Sequence, residues 1–278
     1  LLDNKKIIDS KLLSDSFGIN CLKIVNEDNK KFIVKYYYKK KYEFNAIKSE
    51  IDNLIFYNNK NFNFFPRIIN NNDYLVIMSF IDNNNNQPSK INDDLLEAII
   101  SLHSKNSINY GFDFDTQIGG LRQINSYSKN WLEFYRDKRL CYIFDLINKK
   151  QPMDSAINTK INLLLKKIDN FIPNKPKPSL LHGDLWEGNI LFKNKKFTGF
   201  IDPGSFYGHN ELEVSYLRWF DPCFIDKNFL DRYNDYINID KNYLEYEPIY
   251  QLYYSLLNVY LIFKILDSLF RIKNFIRY

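Results

Sequence analysis

The stretch from residue 181 to 209, LHGDLWEGNILFKNKKFTGFIDPGSFYGH, constrains this chain more than any other. Two short apolar runs, Ile190 to Phe192 and Phe197 to Ile201, flank polar Lys193 to Lys196. That pattern predicts a β-hairpin. A hairpin is short and stiff, so it would fix Asn189 at its start and Asp202 at its end. Two oxygen-bearing side chains would then converge on one point. Asp184 lies five residues before Asn189, on the loop leading in. Mg²⁺ takes hard oxygen ligands and is usually held by one or two side chains plus substrate phosphates. A nearby carboxylate that does not bind the metal can accept the proton of an attacking hydroxyl. The order D-x₄-N, hairpin, D is the one that phosphoryl transfer from a nucleotide requires.

The rest of the chain must then supply a nucleotide site. Its 278 residues suffice for one large domain or two coupled ones, and an apolar content of 45% suffices for a core. The abundance of Asn, Lys and Ile reads as codon drift in an AT-rich genome. A net charge of +5 suits an anionic ligand such as ATP but is too weak and dispersed to argue for nucleic acid. Cys21, Cys141 and Cys223 stand far apart without a C-x-x-C pair, which argues against a zinc site and fits a reducing, cytoplasmic setting. The charged first residues, LLDNKKIIDSKLL, predict no signal peptide. The most apolar tail segment, Ile249 to Phe263, is interrupted by Gln251, Ser255 and Asn258 and reads as a buried helix, not a membrane span. A monomer or weak homodimer is expected.

Periodicity divides the chain. Residues 1 to 10 read as a short leading helix. From Leu12 to Tyr38, the runs CLKIV and KFIVKYYY flank Asn26-Glu27-Asp28-Asn29 and predict a hairpin. Phe44 to Tyr57 is apolar at helical spacing (Ile47, Ile51, Leu54, Ile55), and Phe65-Pro66 ends that element. Tyr74 to Ile81 has strand length. Asp82 to Pro88 is a polar linker. Helices follow: one after Asp93-Asp94, then Trp131 to Ile147, Ile157 to Ile168, and a helical tail from Glu211. The expected class is α+β. A small antiparallel β-sheet lobe (1–80) and a hinge (81–92) precede a larger, mainly α-helical lobe (93–278).

Several residues gain meaning from this frame. Lys35 ends FIVK on a predicted strand, and Glu50 lies fifteen residues later on the next helix. A lysine that reaches nucleotide phosphates from a strand needs a carboxylate to hold it. Read alone, Lys35 is one lysine among several, like the Lys39–Lys41 run, which reads as a solvated edge. The turn Ser14-Asp15-Ser16-Phe17-Gly18-Ile19-Asn20 would cover phosphates with backbone N–H groups, those of Gly18, Ile19 and Asn20 among them, although one glycine is a weak signal. The strand-to-linker junction at Met78, Ser79 and Phe80 would meet adenine through its backbone. His182 reads as a structural residue that bonds the loop backbone. Cys21, near the phosphate turn, reads as a half-buried strand cysteine in preference to a redox switch.

Four blocks, in order, resemble the fructosamine kinase (ketosamine-3-kinase) family, a branch of the protein-kinase-like small-molecule phosphotransferases. LLHGDLWEGN resembles the family's LLHGDLWxGN, and IDPGSFYGHNELE its DPAxYYGHxExE stretch. YGFDFDTQIGGLRQINSYSKNWLEFYRDKRL matches a family segment at Gly119, Gln123, Asn125, Trp131, Phe134, Arg139 and Leu140. IYQLYYSLLN resembles the family's YQLYxLLN helix.

The resemblance implies a bilobal protein-kinase-like fold and ATP-dependent phosphorylation of the sugar 3-hydroxyl of a small-molecule or protein-bound ketosamine, a step in deglycation. It implies ATP and Mg²⁺ as cofactors. Asp184 would accept the hydroxyl proton, Asn189 and Asp202 would hold Mg²⁺, and Lys35, braced by Glu50, would hold the α- and β-phosphates. Trp186, Tyr207, Gly208 and His209 would line the sugar pocket. Other readings are a kinase for another small alcohol or an aminoglycoside-like acceptor, and a catalytically idle binding protein. The chain departs from the family at several positions: Glu187 for a small residue, Gly204 for Ala, Asn210 for Arg, Met78 and Arg218 for acidic residues, and Phe220-Asp221-Pro222 for a Phe-Gly-Gly-like turn.

Overall fold

The computed structural model describes residues 5–38 and 44–275, with side chains described up to 262. The first five strands are β1 (Ile7–Ser16), β2 (Ile19–Asn26), β3 (Lys31–Tyr37), β4 (Ile68–Asn72) and β5 (Leu75–Ser79). They form one antiparallel sheet in the order β1-β2-β3-β5-β4. The helix α1 (Ala46–Asn59) joins β3 to β4, capped by Asn45, whose side chain accepts from the Lys48 N–H. Side chains alternate along β3. Val34 joins a small apolar cluster with Ile24 and Ile77 on one face of the sheet.

One expectation fails here, and one strand comes unannounced. Residues 1–10 were read as a helix, but the described part, from Ile7, begins β1. The paired spacing of Ile7, Ile8, Leu12 and Leu13 does not separate helix from strand, and pairing with β2 decides it. All four remain exposed on this edge strand. The strand β4, sequence IINNN, was not foreseen, because Asn is depleted in strands; it forms by completing the ladder with β5. The Lys39–Lys41 run lies outside the described residues.

The remaining chain is mainly helical. It begins with α2 (Asp93–His103) and a small hairpin of β6 (Thr116–Ile118) and β7 (Leu121–Gln123). The helices α3 (Trp131–Tyr135) and α4 (Tyr142–Lys150) are one element joined by a π-helical turn, Arg136–Cys141. After α5 (Ser155–Lys167) comes β8 (Ser179–Leu181). The hairpin predicted at the outset is present as β9 (Ile190–Lys193) and β10 (Lys196–Phe200). Then β11 (Phe206–Gly208) pairs back on β8, followed by α6 (Asn210–Trp219), α7 (Phe229–Asn234) and α8 (Tyr243–Phe275). Among the described residues no helix is long and apolar enough to cross a membrane.

One apolar core runs from Ile47 on α1 to Leu257 on α8. Aromatic rings fill its centre. Trp131 is fully buried, stacks beside Phe134 and Tyr135, and donates its indole N–H to the Tyr250 hydroxyl at 2.8 Å. Tyr135 donates its hydroxyl to the Ile249 carbonyl at 2.7 Å. Trp131→Ala should cost about 3–5 kcal/mol in urea denaturation, through the cavity and the lost indole bond to the Tyr250 hydroxyl. A loss under about 1 kcal/mol would mean the site collapses freely and Trp131 is not the keystone of this core.

Candidate active site

Lys35 lies opposite Cys21 on β2 and Val76 on β5, with its side chain on the sheet face away from Val34. Its ammonium donates to both Glu50 oxygens, at 2.8 and 3.0 Å, and pairs with the Asp202 carboxylate. Burial pulls the lysine pKa down, but Asp202 and Glu50 outweigh it, so Lys35 is held firmly protonated. Burial lifts the Glu50 carboxyl to about 7, against the pull of Lys35. The three groups join the sheet, α1 and the loop after β10 through charged hydrogen bonds.

The loop between β8 and β9 carries Asp184. A buried carboxylate on α6, Glu213, fastens it: the backbone N–H groups of His182 and Gly183 donate to Glu213 at 2.9 and 2.7 Å. His103 on α2 contacts the same carboxylate through Nε2 at 2.9 Å. Burial pushes Glu213 up, yet His103, His182 and the Gly183 N–H outweigh it and hold it below the usual carboxylate range. The His182 ring donates Nε2–H to the Ile201 carbonyl at 3.0 Å and accepts the Asp184 N–H at Nδ1, 3.3 Å. Only the neutral ring can do both, and burial lowers its pKa to about 4. His182 thus has the loop-bonding geometry expected of it. Gly183 has φ +84°, and a Cβ there would run into the Gly204 carbonyl, so only glycine lets the two loops touch.

Asp184 is buried, with the Tyr216 hydroxyl at 3.4 Å. Burial and the neighbouring Asp202 raise its pKa well above the ordinary value. Asn189 donates Nδ2–H to the Asp184 carbonyl at 2.8 Å, which keeps its amide oxygen out of that bond. The hairpin does what its pattern predicts. Phe200 pairs with Ile190, and the Ile201 N–H reaches the Asn189 carbonyl at 3.1 Å, so Asn189 and Asp202 are neighbours. Asp202 has φ +56°, an uncommon left-handed conformation for a non-glycine residue. Among the described residues no three His, Cys, Asp or Glu side chains gather as a metal site. One amide oxygen and one carboxylate form a hard set that suits Mg²⁺ once phosphate oxygens are added.

These side chains line one cleft of about 280 Å³. It brings together Lys35, Glu50, Asp184, Asn189 and Asp202, with Trp186 at the rim, 36% exposed. Ile19 and Cys21 also line it. Burial lifts the Cys21 thiol to about 11, the opposite of what a reactive thiolate needs.

The turn at Phe17-Gly18 is a tight two-residue hairpin with both φ values positive. Ser14, Ser16 and Phe17 face the cleft, whereas Gly18 and Asn20 do not line it. The Gly18 carbonyl accepts from the Tyr38 N–H, and the Asn20 amide donates to the Tyr36 hydroxyl. Met78, Ser79 and Phe80 do not line it either. Met78 is buried in β5, Ser79 exchanges hydrogen bonds with Arg67, and the Phe80 ring lies under Lys23 and Lys31.

Tyr207, Gly208 and His209 were expected at a sugar pocket, but the structure does not bring them to this cleft. Tyr207 and Gly208 pair with Leu180 and Ser179 of β8. A Cβ on Gly208 would meet Phe206, Leu181 and Trp131. His209 is buried with Nδ1 at 2.8 Å from the Tyr250 hydroxyl. It borders a separate groove of about 580 Å³ that shares no residue with the cleft.

Four cleft residues, Ala46, Gln117, Gly119 and Gly120, were not assigned to the site by sequence reasoning. The Gly-Gly pair between TQI and LRQ was the available signal. Glu213 carried no signal of its own, since a glutamate on a helix is ordinarily solvated.

The departures from the family pattern acquire local reasons. Asp221 has φ +47°, the conformation a glycine favours. Arg218 pairs with Glu247 at 2.6 Å, and the Asn210 amide donates to the Tyr233 hydroxyl at 3.0 Å. A Cβ on Gly204 would run into the Gln117 carbonyl. Glu187 is half-buried on the turn before β9, and the carboxylates that act on Asp184 are Asp202 and Glu213.

A family model for fructosamine kinase matches residues 11–267. A chloroplastic protein-ribulosamine 3-kinase of Arabidopsis thaliana is 35% identical over 195 residues, which cover 68% of this chain and 56% of that protein. A structure from Thermobifida fusca described as a fructosamine-3-kinase superposes with a TM-score of 0.81 at 20% identity, covering 94% of this chain and 90% of that one. An ADP-bound aminoglycoside phosphotransferase superposes with a TM-score of 0.60 at 16% identity, covering 92% and 86%. These likenesses show the protein-kinase-like fold. The chain spans a little over half the length of the first curated relatives it matches.

Two measurements test the site's framework. Glu213→Gln would aim an amide N–H₂ at groups that themselves donate, and should cost about 3–5 kcal/mol in chemical denaturation. A loss below about 1 kcal/mol would remove Glu213 as the anchor. His209, lowered to about 3 chiefly by burial, takes up its proton far later in the folded chain than the unfolded chain does near 6.5. Between these values the unfolded state binds more protons, so this residue lowers stability as pH falls. Wild-type stability relative to His209→Gln should drop by roughly 1.4 kcal/mol per pH unit below about 6. A pH-independent gap would show that His209 is not buried neutral.

Proposed function

The chain belongs to the fructosamine kinase family, and on that premise we propose that it transfers the γ-phosphate of ATP to the sugar 3-hydroxyl of a ketosamine. The observation that carries the reading is the convergence of Lys35, Glu50, Asp184, Asn189 and Asp202 on one cleft. In the proposed reaction the hydroxyl oxygen forms a bond to the γ-phosphorus as the bond to the ADP oxygen breaks. The hydroxyl proton passes to Asp184. Asp184 is buried in the cleft with the Tyr216 hydroxyl at 3.4 Å, which places its carboxylate to take that proton. Lys35, held by Glu50, binds the α- and β-phosphates. Asn189 and Asp202 hold Mg²⁺, which when bound offsets the charge of the phosphate oxygens.

Trp186 is the acceptor-side residue in this reading. Its ring sits at the cleft rim, 5.6 Å from that of Phe220, a flat surface suited to a sugar face. The free cysteines of the described structure suit a reducing compartment, and a cytoplasmic location is proposed on that basis. The product 3-phosphate makes the sugar–amine adduct labile, which gives the reaction its place in deglycation.

An ATP-consumption panel of ribulosamines, fructosamines and aminoglycosides tests this. Turnover should depend on a ketosamine, and Asp184→Ala should lose about 10²–10⁴-fold in kcat while Mg·ATP binding by calorimetry survives. Consumption that responds only to aminoglycosides would move the acceptor class. Absence of Mg·ATP binding would make the chain an idle member of its family.

A further inference from the structure

Arg139 lies in the π-helical turn, fully buried, with no ion pair among the described residues. Burial lowers its pKa, and its Nε has no hydrogen-bond acceptor. An unpaired guanidinium in a core is costly, so its partners matter. They are the faces of Phe206 (4.1 Å) and Phe134 (4.8 Å), the Ile124 carbonyl (2.9 Å), the Lys138 carbonyl (3.0 Å) and the Asn125 amide oxygen (2.7 Å). A π-helical turn is itself uncommon and often marks a functional region.

Asn125 passes that constraint on. With its oxygen held by Arg139, its amide N–H₂ faces the Thr116 hydroxyl (2.8 Å) and the Phe114 carbonyl (3.2 Å). Because Thr116 Oγ1 accepts from Asn125, its own proton is directed to the Gly204 carbonyl, 3.1 Å away. Gln123 donates to the same carbonyl at 2.9 Å. Gly204 lies two residues past Asp202, and its N–H donates to the His182 carbonyl at 2.9 Å. The peptide groups on both sides of the Gly204 Cα are therefore held, one by the loop that carries Asp184 and one by the hairpin β6–β7. The tip of that hairpin, Gly119-Gly120, lines the cleft and packs on Phe17 of the β1–β2 turn, 3.1 Å from where a Gly120 Cβ would sit.

We propose that the hairpin β6–β7 is a clamp for the metal loop, in which Thr116 and Gln123, ordered through Asn125 by buried Arg139, hold Gly204 and so position Asp202. These are positioning residues; none touches the reacting atoms. The inference rests on the nucleotide-and-metal part of the proposed function and is independent of the acceptor. Hydrogen-bond partners behind metal ligands commonly change metal affinity by about 10–100-fold when removed.

The test is calorimetric binding of a non-hydrolysable ATP analogue with and without Mn²⁺, alongside thermal melts. Thr116→Val keeps the shape and removes the hydroxyl. It should weaken the Mn²⁺-dependent part of binding about 10-fold or more, while metal-free nucleotide binding is unchanged. Thr116→Ser should restore it. Asn125→Asp separates positioning from stability. It gives Arg139 a carboxylate, which offsets the lost bond to the Phe114 carbonyl, so the melts should show a folded protein. The new carboxylate also accepts the Thr116 proton, so Gly204 loses a donor and Mn²⁺-dependent binding should still fall. Wild-type Mn²⁺-dependent affinity in a folded Asn125→Asp or Thr116→Val protein would overturn the clamp. A wild type that binds the Mn²⁺ complex but phosphorylates no ketosamine would overturn the acceptor assignment and leave the clamp to be judged by the variants.

Discussion

Glu213 is 1% exposed, and its carboxylate gathers the His182 N–H, the Gly183 N–H and the His103 ring. The donors serve two purposes: two hold the loop that carries Asp184, and the third ties that loop's anchor to α2. A buried carboxylate stays ionised only when enough donors surround it, and here they outweigh the cost of burial. The charge in turn fixes how the loop runs. With its backbone N–H groups committed to Glu213, the His182 ring is free to bridge Ile201 and Asp184, and Asp184 is delivered beside Asp202.

A second electrostatic tie joins the sheet to this frame. Lys35 on β3 meets Glu50 on α1 and Asp202 after β10, so one cation links three elements far apart in sequence. Neutral bonds reinforce the same junction. Asn53 on α1 accepts the Ser205 N–H at 3.1 Å, and Tyr57 shares a hydrogen bond with the Ser205 hydroxyl at 2.5 Å. The loop after β10 is thus held from α1, from the loop carrying Asp184, and from the hairpin β6–β7. Such over-determination allows Asp202 to keep its left-handed backbone.

Much of the site was legible because its signals are local. The hairpin from Ile190 to Phe200 follows from two apolar runs and a polar turn, and pairing then places Asn189 beside Asp202 without further information. Lys35 and Glu50 gained meaning only together with the downstream segment carrying Asp184, Asn189 and Asp202, since a strand lysine read alone is one among several. Other features were not legible. The strand β1 needs β2 to exist, and IINNN becomes β4 only because β5 offers it a ladder. Tyr207, Gly208 and His209 share a family motif with the cleft residues, and motif membership suggested contact with the sugar. Packing sent them to β11 and the aromatic core around Trp131 instead.

By itself the sequence determined the α+β class, the order of the main elements, the fructosamine kinase resemblance and five of the polar residues of the cleft, Lys35, Glu50, Asp184, Asn189 and Asp202. Those follow from short-range periodicity and spacing, which act within a few residues along the chain. Tertiary structure alone decided which buried groups hold them: Glu213 under the loop, Arg139 behind the hairpin β6–β7, and Gly183 against Gly204. Such choices depend on which donors meet which acceptors across more than a hundred residues of separation, as His103 and Glu213 do. A glutamate or an arginine on a helix carries no mark in the sequence that it will be buried. Only the folded chain, where every buried charge must find partners, gives those residues their work.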